Sequence, residues 1–184
     1  MPSVQAALTE KDLIKGCLRN ERRMQQLLYQ HYCVALLSIA RAYVSCEEDA
    51  VEVLQDSFLK IFQQIGRFDE AKSTLYTWMR TIVVRTTIDR LRKNKAVPQT
   101  MEWTESYEPL IEAEVLECMT ARQIVQWLGA LPETTRVVFT LFTTEGYSHR
   151  EIGEALRINE GTSRWHLSEA RKYLVNAMKT NKRA

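Results

Sequence analysis

The residues best suited to act on a partner molecule lie near the carboxyl end, in the stretch SHREIGEALRINEGTSRWHLSEARKYL from Ser148 to Leu174. Ser163, Leu167, Ala170 and Leu174 step by four, three and four, which is the spacing of one buried helical face. That register leaves Arg164, Trp165, Ser168, Glu169, Arg171 and Lys172 largely outside, and His166 on the same helix reads as a surface or contact residue. A helix of this kind fits the major groove of B-DNA, where arginine, lysine and serine reach base edges and phosphates. Just upstream, Ser148 and Glu151 stand three apart as a capping box requires, and Ile152, Ala155 and Leu156 face inward. Two short helices joined by a turn containing Asn159 and Gly161 therefore read as a helix-turn-helix. A plain αα-hairpin inside a bundle has the same pattern. Trp165, displaced from the buried stripe, favours a contact surface instead.

Catalytic chemistry finds less support. His31, His149 and His166 lie in three different expected helices, with no serine or cysteine nucleophile motif and no glycine-rich phosphate loop beside them. Cys17, Cys33, Cys46 and Cys118 are scattered without metal-ligand spacing and read as reduced packing or surface residues. The expectation is a protein that is not an enzyme and needs no metal and no cofactor.

The elements that must position these residues are all helical, because apolar residues recur at three and four rather than two. Met24, Leu27, Leu28, Tyr32, Ala35, Leu36, Ile39 and Tyr43 form one stripe. Ala50, Leu54, Phe58, Ile61, Phe62 and Ile65 form a second after a break at Ser45 to Glu47, so two helices should pack antiparallel. Gly66 ends the second, Asp69 to Ser73 form a loop, and a third helix runs from about Thr74 to Arg92. Its expected core is Leu75, Trp78, Met79, Ile82 and Val83, and a basic cluster of Arg90, Arg92, Lys93 and Lys95 finishes it. Pro98 and Pro109 flank a non-periodic linker. Helical spacing resumes near Leu116; Leu131-Pro132-Glu133 starts a helix with Val137, Val138, Leu141 and Phe142 inward, and Gly146 stops it.

Charge follows the same division. Residues 1–95 carry 15 Lys and Arg against 11 Asp and Glu, and residues 118–184 carry 10 against 6. Residues 96–117 hold six glutamates and no base. Two mildly basic modules joined by an acidic segment suggest a partner with an extended charged surface, such as nucleic acid. The expected architecture is all-α: two small helical domains, 1–95 and 118–184, joined by the acidic linker 96–117, with the helix-turn-helix in the second. No apolar run of about 18 residues and no signal-peptide pattern is visible, so membrane insertion is not expected and the protein should stay in the cytoplasm.

Three ordered segments resemble the extracytoplasmic-function (group IV) sigma factors of bacterial RNA polymerase, over nearly all of residues 20–178. DAVEVLQDSFLKIF, Asp49 to Phe62, is similar to the family's core-polymerase-binding helix. RFDEAKSTLYTWMRTIVVRTTIDRLRK, Arg67 to Lys93, is similar to its promoter-melting and −10 segment, and Ala130 to Leu174 to the domain that reads the −35 element. The resemblance implies an alternative sigma factor that binds core RNA polymerase and promoter DNA and is held in check by an anti-sigma factor.

The residue chemistry agrees with those roles. Asp49, Glu52 and Asp56 recur at three and four beside Gln55, a carboxylate face that repels itself unless a basic partner meets it. The resemblance supplies one in the coiled coil of the polymerase's largest subunit. Holding unpaired bases takes aromatic surfaces and cations. Phe68, Tyr76 and Trp78 with Arg67, Lys72, Arg80, Arg85, Arg92 and Lys93 provide both, and by resemblance the loop Asp69 to Thr74 accepts a flipped base. In the third segment Arg164, Trp165, His166, Ser168, Glu169, Arg171 and Lys172 would contact the −35 DNA. By the same resemblance the linker glutamates would mimic RNA phosphates in a basic polymerase channel. Arg85-Thr86, where the family commonly has Arg-Asn, and Glu169, where a basic or neutral residue is more usual, depart from the pattern and bear on sequence preference. The alternative is a helix-turn-helix regulator that does not join core polymerase.

Overall fold

The computed structural model describes residues 9–44, 46–94 and 121–181, so the expected linker at 96–117 lies outside the described residues. Among these the chain is built of eight α-helices, which are α1 (Glu10–Leu18), α2 (Arg22–Arg41), α3 (Glu47–Gln64), α4 (Leu75–Asn94), α5 (Ala121–Ala130), α6 (Glu133–Thr143), α7 (His149–Leu156) and α8 (Glu160–Asn181). A 3-10 turn, Ile65–Arg67, follows α3. The helices cluster into two compact units, one of described residues up to Ala40 with Glu48–Thr86, the other of Arg41–Glu47 with described residues from Thr87 onward. The division cuts α4 between Thr86 and Thr87, whereas the sequence reading placed its boundary at residue 95.

In the first unit, α1 was not expected from the sequence, although its signal is there. Thr9 Oγ1 accepts the Asp12 N–H at 3.3 Å and the Asp12 carboxylate accepts the Thr9 N–H at 3.0 Å, a reciprocal cap that defines where the helix starts. The Thr9 hydroxyl also donates to the Asp12 carboxylate, at 2.7 Å, and with the Thr9 N–H it holds that carboxyl below its usual range. The chain then reverses through Asn20, whose φ of 57° is tolerated by a short polar side chain. A Cβ on Gly16 would lie 2.1 Å from Met24 Cγ, so glycine lets α1 approach the start of α2. From α2, Leu28, Tyr32, Leu36 and Ala40 are buried, while Met24, Leu27, Ala35 and Ile39 of the expected stripe are only half-buried. From α3, Ala50, Val53, Leu54, Phe58 and Ile61 are buried, and the Tyr29 and Phe58 rings lie 4.6 Å apart. Each fully buried leucine contributes ~1.5–3 kcal/mol. Thr74 starts α4 by accepting the Thr77 N–H at 3.2 Å. Leu75, Met79, Ile82, Val83 and Val84 are all buried, wider than a single stripe.

In the second unit, α6 begins after Pro132, as expected, and buries Val137, Val138 and Leu141. It also buries Arg136, 1% exposed, whose guanidinium lies 3.4 Å from the Gly129 carbonyl closing α5 and whose pKa burial lowers. Gly146 turns the chain out of α6 with φ +72°. Both α6 and α7 pack against α8.

Candidate nucleic-acid interface

The helix-turn-helix is assembled from local signals at its two ends and one close approach in the middle. Ser148 and Glu151 form the expected box: the Glu151 carboxylate accepts the Ser148 N–H at 2.8 Å and Ser148 Oγ accepts the Glu151 N–H at 3.3 Å. The Ser148 N–H and, at 2.7 Å, the Ser148 hydroxyl both donate to the Glu151 carboxylate and lower its pKa. Helix α7 ends at Arg157, a left-handed residue with φ 58° and ψ 42°. Ile158 N–H returns to the Gly153 carbonyl at 3.1 Å, and a Cβ on Gly153 would sit 2.8 Å from the Ile158 carbonyl oxygen. Only glycine lets the turn fold back this tightly. Asn159 then caps α8 by accepting the Thr162 N–H. The turn is thus Arg157 to Asn159; Gly161, read as part of it, lies inside α8, and α8 is 22 residues long rather than short.

Helix α8 buries Ser163, Leu167, Ala170 and Leu174 as expected, and Met178 continues the stripe. Because two helices cover α8, its buried arc is wider than that stripe, and two residues expected outside turn inward. Ser168 is 3% exposed with its Oγ buried, so it is not on the open face. His166 is half-buried, its Nδ1 2.9 Å from Thr135 Oγ1 on α6. Burial outweighs the attraction of Glu169 and pushes the His166 pKa down to about 4. Arg164 and Lys172 are exposed, and Trp165, Glu169 and Arg171 are half-exposed. Arg164 is paired with Glu160 one turn back, Lys172 with Glu169 at 2.9 Å, and Arg171 lies 5.9 Å from the centroid of the Phe142 ring. Phe142, expected in the core, is half-buried and stacks on His149 at 4.7 Å. Glu160 was missed, although its i, i+4 spacing to Arg164 was legible.

The His166 environment makes a pH prediction. Folded His166 takes its proton only near pH 4, whereas an unfolded histidine takes it near 6.5, so between those values the unfolded chain holds more protons. Stability of the second unit is expected to fall on the order of 2 kcal/mol as pH drops from 6.5 towards 4. His166→Gln should flatten that dependence, and thermal melts across the interval that stay parallel for both proteins would contradict it.

One pairing resembles a catalytic dyad: His149 Nδ1 lies 2.9 Å from Ser163 Oγ. Ser163 is fully buried, so no substrate reaches the hydroxyl, and the pair ties α7 to α8 instead.

In the Arg67 to Lys93 segment, Arg67, Lys72, Tyr76, Arg85 and Lys93 are exposed and Arg80 is half-buried. Trp78, expected in the core, is half-buried with its ring 5.7 Å from Phe68. Asp69 shapes the loop by accepting the Ala71 N–H at 3.0 Å and lies 3.4 Å from Lys72, and both contacts lower its pKa. Thr77 and Thr81 share the exposed face with Arg85 at four-residue spacing and were not singled out from the sequence. Within the second unit, the Arg92 guanidinium donates to the Ala155 and Glu154 carbonyls that close α7, so its donors are engaged there. On α3, Glu52, Gln55 and Asp56 are exposed and Asp49 is half-exposed. Leu59, 60% exposed, extends that face and was also missed, although it stands off the apolar stripe.

Comparison with known proteins is consistent with this layout. The model of sigma-70 region 2 matches residues 28–97 and that of sigma-70 region 4 matches residues 121–174. The chain is 25% identical to the RNA polymerase sigma-H factor of Pseudomonas aeruginosa, over 92% of this chain and 93% of that protein. It is 27% identical to the ECF RNA polymerase sigma factor SigM of Mycobacterium tuberculosis, over 92% of this chain and 85% of that protein. Among solved structures it is similar to the sigma factor RpoE of Bartonella quintana, crystallised with the anti-sigma factor NepR, at 19% identity and TM-score 0.48, covering 84% of this chain and 96% of that one.

Proposed function

The chain belongs to the sigma-70 family, as a group IV (extracytoplasmic-function) sigma factor acting in promoter-dependent transcription initiation, and we propose that three of its surfaces divide that work. The α3 face of Asp49, Glu52, Gln55 and Asp56 docks on a basic surface of core RNA polymerase. The loop and α4 surface from Arg67 to Lys93 holds the melted −10 strand. The α8 face led by Arg164 and Lys172, with Trp165, Glu169 and Arg171 at its margin, reads the −35 element. Functionally the chain then divides into 1–95, an acidic linker 96–117 and 118–184, and an anti-sigma protein would act by covering the α3 and α8 faces. Like other sigma factors it would work in the cytoplasm and catalyse nothing itself, binding energy rather than nucleotide hydrolysis driving the opening of DNA. Among the described residues no helix is long and apolar enough to cross a membrane.

The observation that carries this reading is the order of the two matched modules, region 2 before region 4, because a regulator using the helix-turn-helix alone has no need of the first. The test is in vitro transcription on genomic fragments with mapped start sites. Core polymerase plus this chain should yield discrete starts, whereas a regulator would give transcripts only with an existing holoenzyme.

Glu169 sets a finer expectation. Its carboxylate can accept from a cytosine amino group but repels phosphate, and it lies 2.9 Å from the Lys172 ammonium. Glu169→Ala is expected to change preference at one −35 position by about fivefold to a hundredfold, on the scale of a single base contact, with core affinity within twofold. The same ranking of promoter variants by both proteins would defeat it.

A further inference from the structure

Helix α8 must present its reading face at one rotation, because a roll of about 10° moves a side-chain tip about 6 Å from the helix axis by about 1 Å, more than a hydrogen bond to a base tolerates. The buried stripe of Leu167, Ala170 and Leu174 holds α8 down, but apolar burial is non-directional and sets its rotation only loosely. Two directional contacts supplement it, one to each helix that covers α8. On the α7 side His149 Nδ1 lies 2.9 Å from Ser163 Oγ, and on the α6 side His166 Nδ1 lies 2.9 Å from Thr135 Oγ1. The second also reaches the reading face, since the His166 and Trp165 rings lie 4.8 Å apart and close to edge-on, a favoured aromatic arrangement. We propose that His166 is a positioning residue for −35 recognition: it fixes the roll of α8 against α6 through Thr135, braces Trp165, and so helps decide which bases are accepted. The inference deepens the −35 role proposed above for α8 and rests on it.

The surroundings of the ring suit that role better than a direct DNA contact. Steps of three residues turn the helix face by about 60°, so His166 stands between buried Ser163 and half-exposed Glu169. Thr135 is buried, so water competes little for its hydroxyl. Burial pushes the His166 pKa down to about 4, which keeps the imidazole neutral at the pH of transcription, with one ring nitrogen donating and the other accepting. A hydroxyl does either, so the bond forms with either tautomer. A neutral, half-buried ring brings no charge to a phosphate, whereas exposed Arg164 and Lys172 on the same helix do. Rolling α8 away would leave the buried Thr135 hydroxyl without this partner, which costs free energy and holds the helix at its present rotation.

The test uses the full chain reconstituted with core polymerase and a duplex library randomised across both promoter elements, with transcripts sequenced. Thr135→Val removes the hydroxyl at nearly constant shape, and His166→Phe keeps a ring but loses the bond. Each is expected to lower the preference at one or two −35 positions by about tenfold, with the −10 preference and core affinity within twofold. Thr135→Ser keeps the hydroxyl and should keep the wild-type preference. Because the two residues act as one unit, the double variant should also change preference about tenfold; about a hundredfold, the product of independent effects, would overturn the pairing. Equal loss by Thr135→Ser and Thr135→Val, with matching drops in circular dichroism melts, would assign the effect to packing and overturn the role. If Thr135→Val and His166→Phe keep the wild-type preference while Arg164→Ala and Trp165→Ala lose it, the positioning role is overturned and the −35 reading stands. If all four keep it, the −35 reading falls and the role of His166 with it.

Discussion

Glu52→Lys combined with Asp56→Lys is expected to weaken binding to core polymerase by about a hundredfold or more, with little change in the melting temperature of the free protein. The two carboxylates are exposed one turn apart on α3, and the residues that hold α3 in the core, Val53, Leu54, Phe58 and Ile61, lie on the other side of the helix. Lysine is as good a helix former as glutamate, so the free fold loses little. Placing two ammonium groups against a basic partner replaces attraction with like-charge contact, which costs several kcal/mol, and about 2.7 kcal/mol is a hundredfold in affinity. A fluorescence titration of labelled chain with core polymerase at two salt concentrations checks both size and origin. The wild-type affinity should fall with added salt and the variant's much less. Affinity unchanged by the double reversal would remove this face from the polymerase interface.

Gly153→Ala is expected to damage upstream promoter reading while sparing polymerase binding. The new methyl would meet the Ile158 carbonyl oxygen at 2.8 Å, and that atom is main chain in the tight turn, so it cannot swing aside as a side chain would. The same turn carries the Ile158 to Gly153 hydrogen bond, so relief of the clash must move α8 against α7. Overpacking of this kind costs ~1–3 kcal/mol. Transcription that depends on the −35 element should drop at least tenfold, because base contacts tolerate little displacement, while core affinity stays within twofold. A variant that transcribes like the wild type with an unshifted melting curve would show that the turn relaxes freely and that Gly153 does not set the angle.

The two predictions draw on different kinds of information. Charges of Glu52 and Asp56 on a common helical face were legible from spacing alone, since a period near 3.6 places residues four apart side by side whatever the helix packs against. So was the cap at Ser148, which depends on contacts within one turn, and the capping residues Thr9 and Thr74 were equally local though passed over. The role of Gly153 was invisible, because glycine in a helix reads only as a weak point until the carbonyl that crowds it is known.

The burial of Ser168 and the turning of His166 towards Thr135 teach the same lesson. A single stripe predicts one covered face, and α8 is covered by two helices, so residues at the edge of the stripe were assigned to solvent wrongly. Trp78 and Phe142 erred in the other direction: both fit an apolar spacing, and both are half-buried against an aromatic neighbour rather than sealed in a core.

By itself, the sequence determined that this protein is all-helical, that its charge alternates along the chain, and that a helix-turn-helix carries cations on one helix, because periodicity, caps and charge are properties of neighbours a turn or less apart. Only the tertiary structure decided which of those cations stand open, that His166 of α8 meets Thr135 of α6, and that His166 stays neutral. Those features depend on which helices meet, and residues far apart in the chain carry no mark of their contact until the fold brings them together.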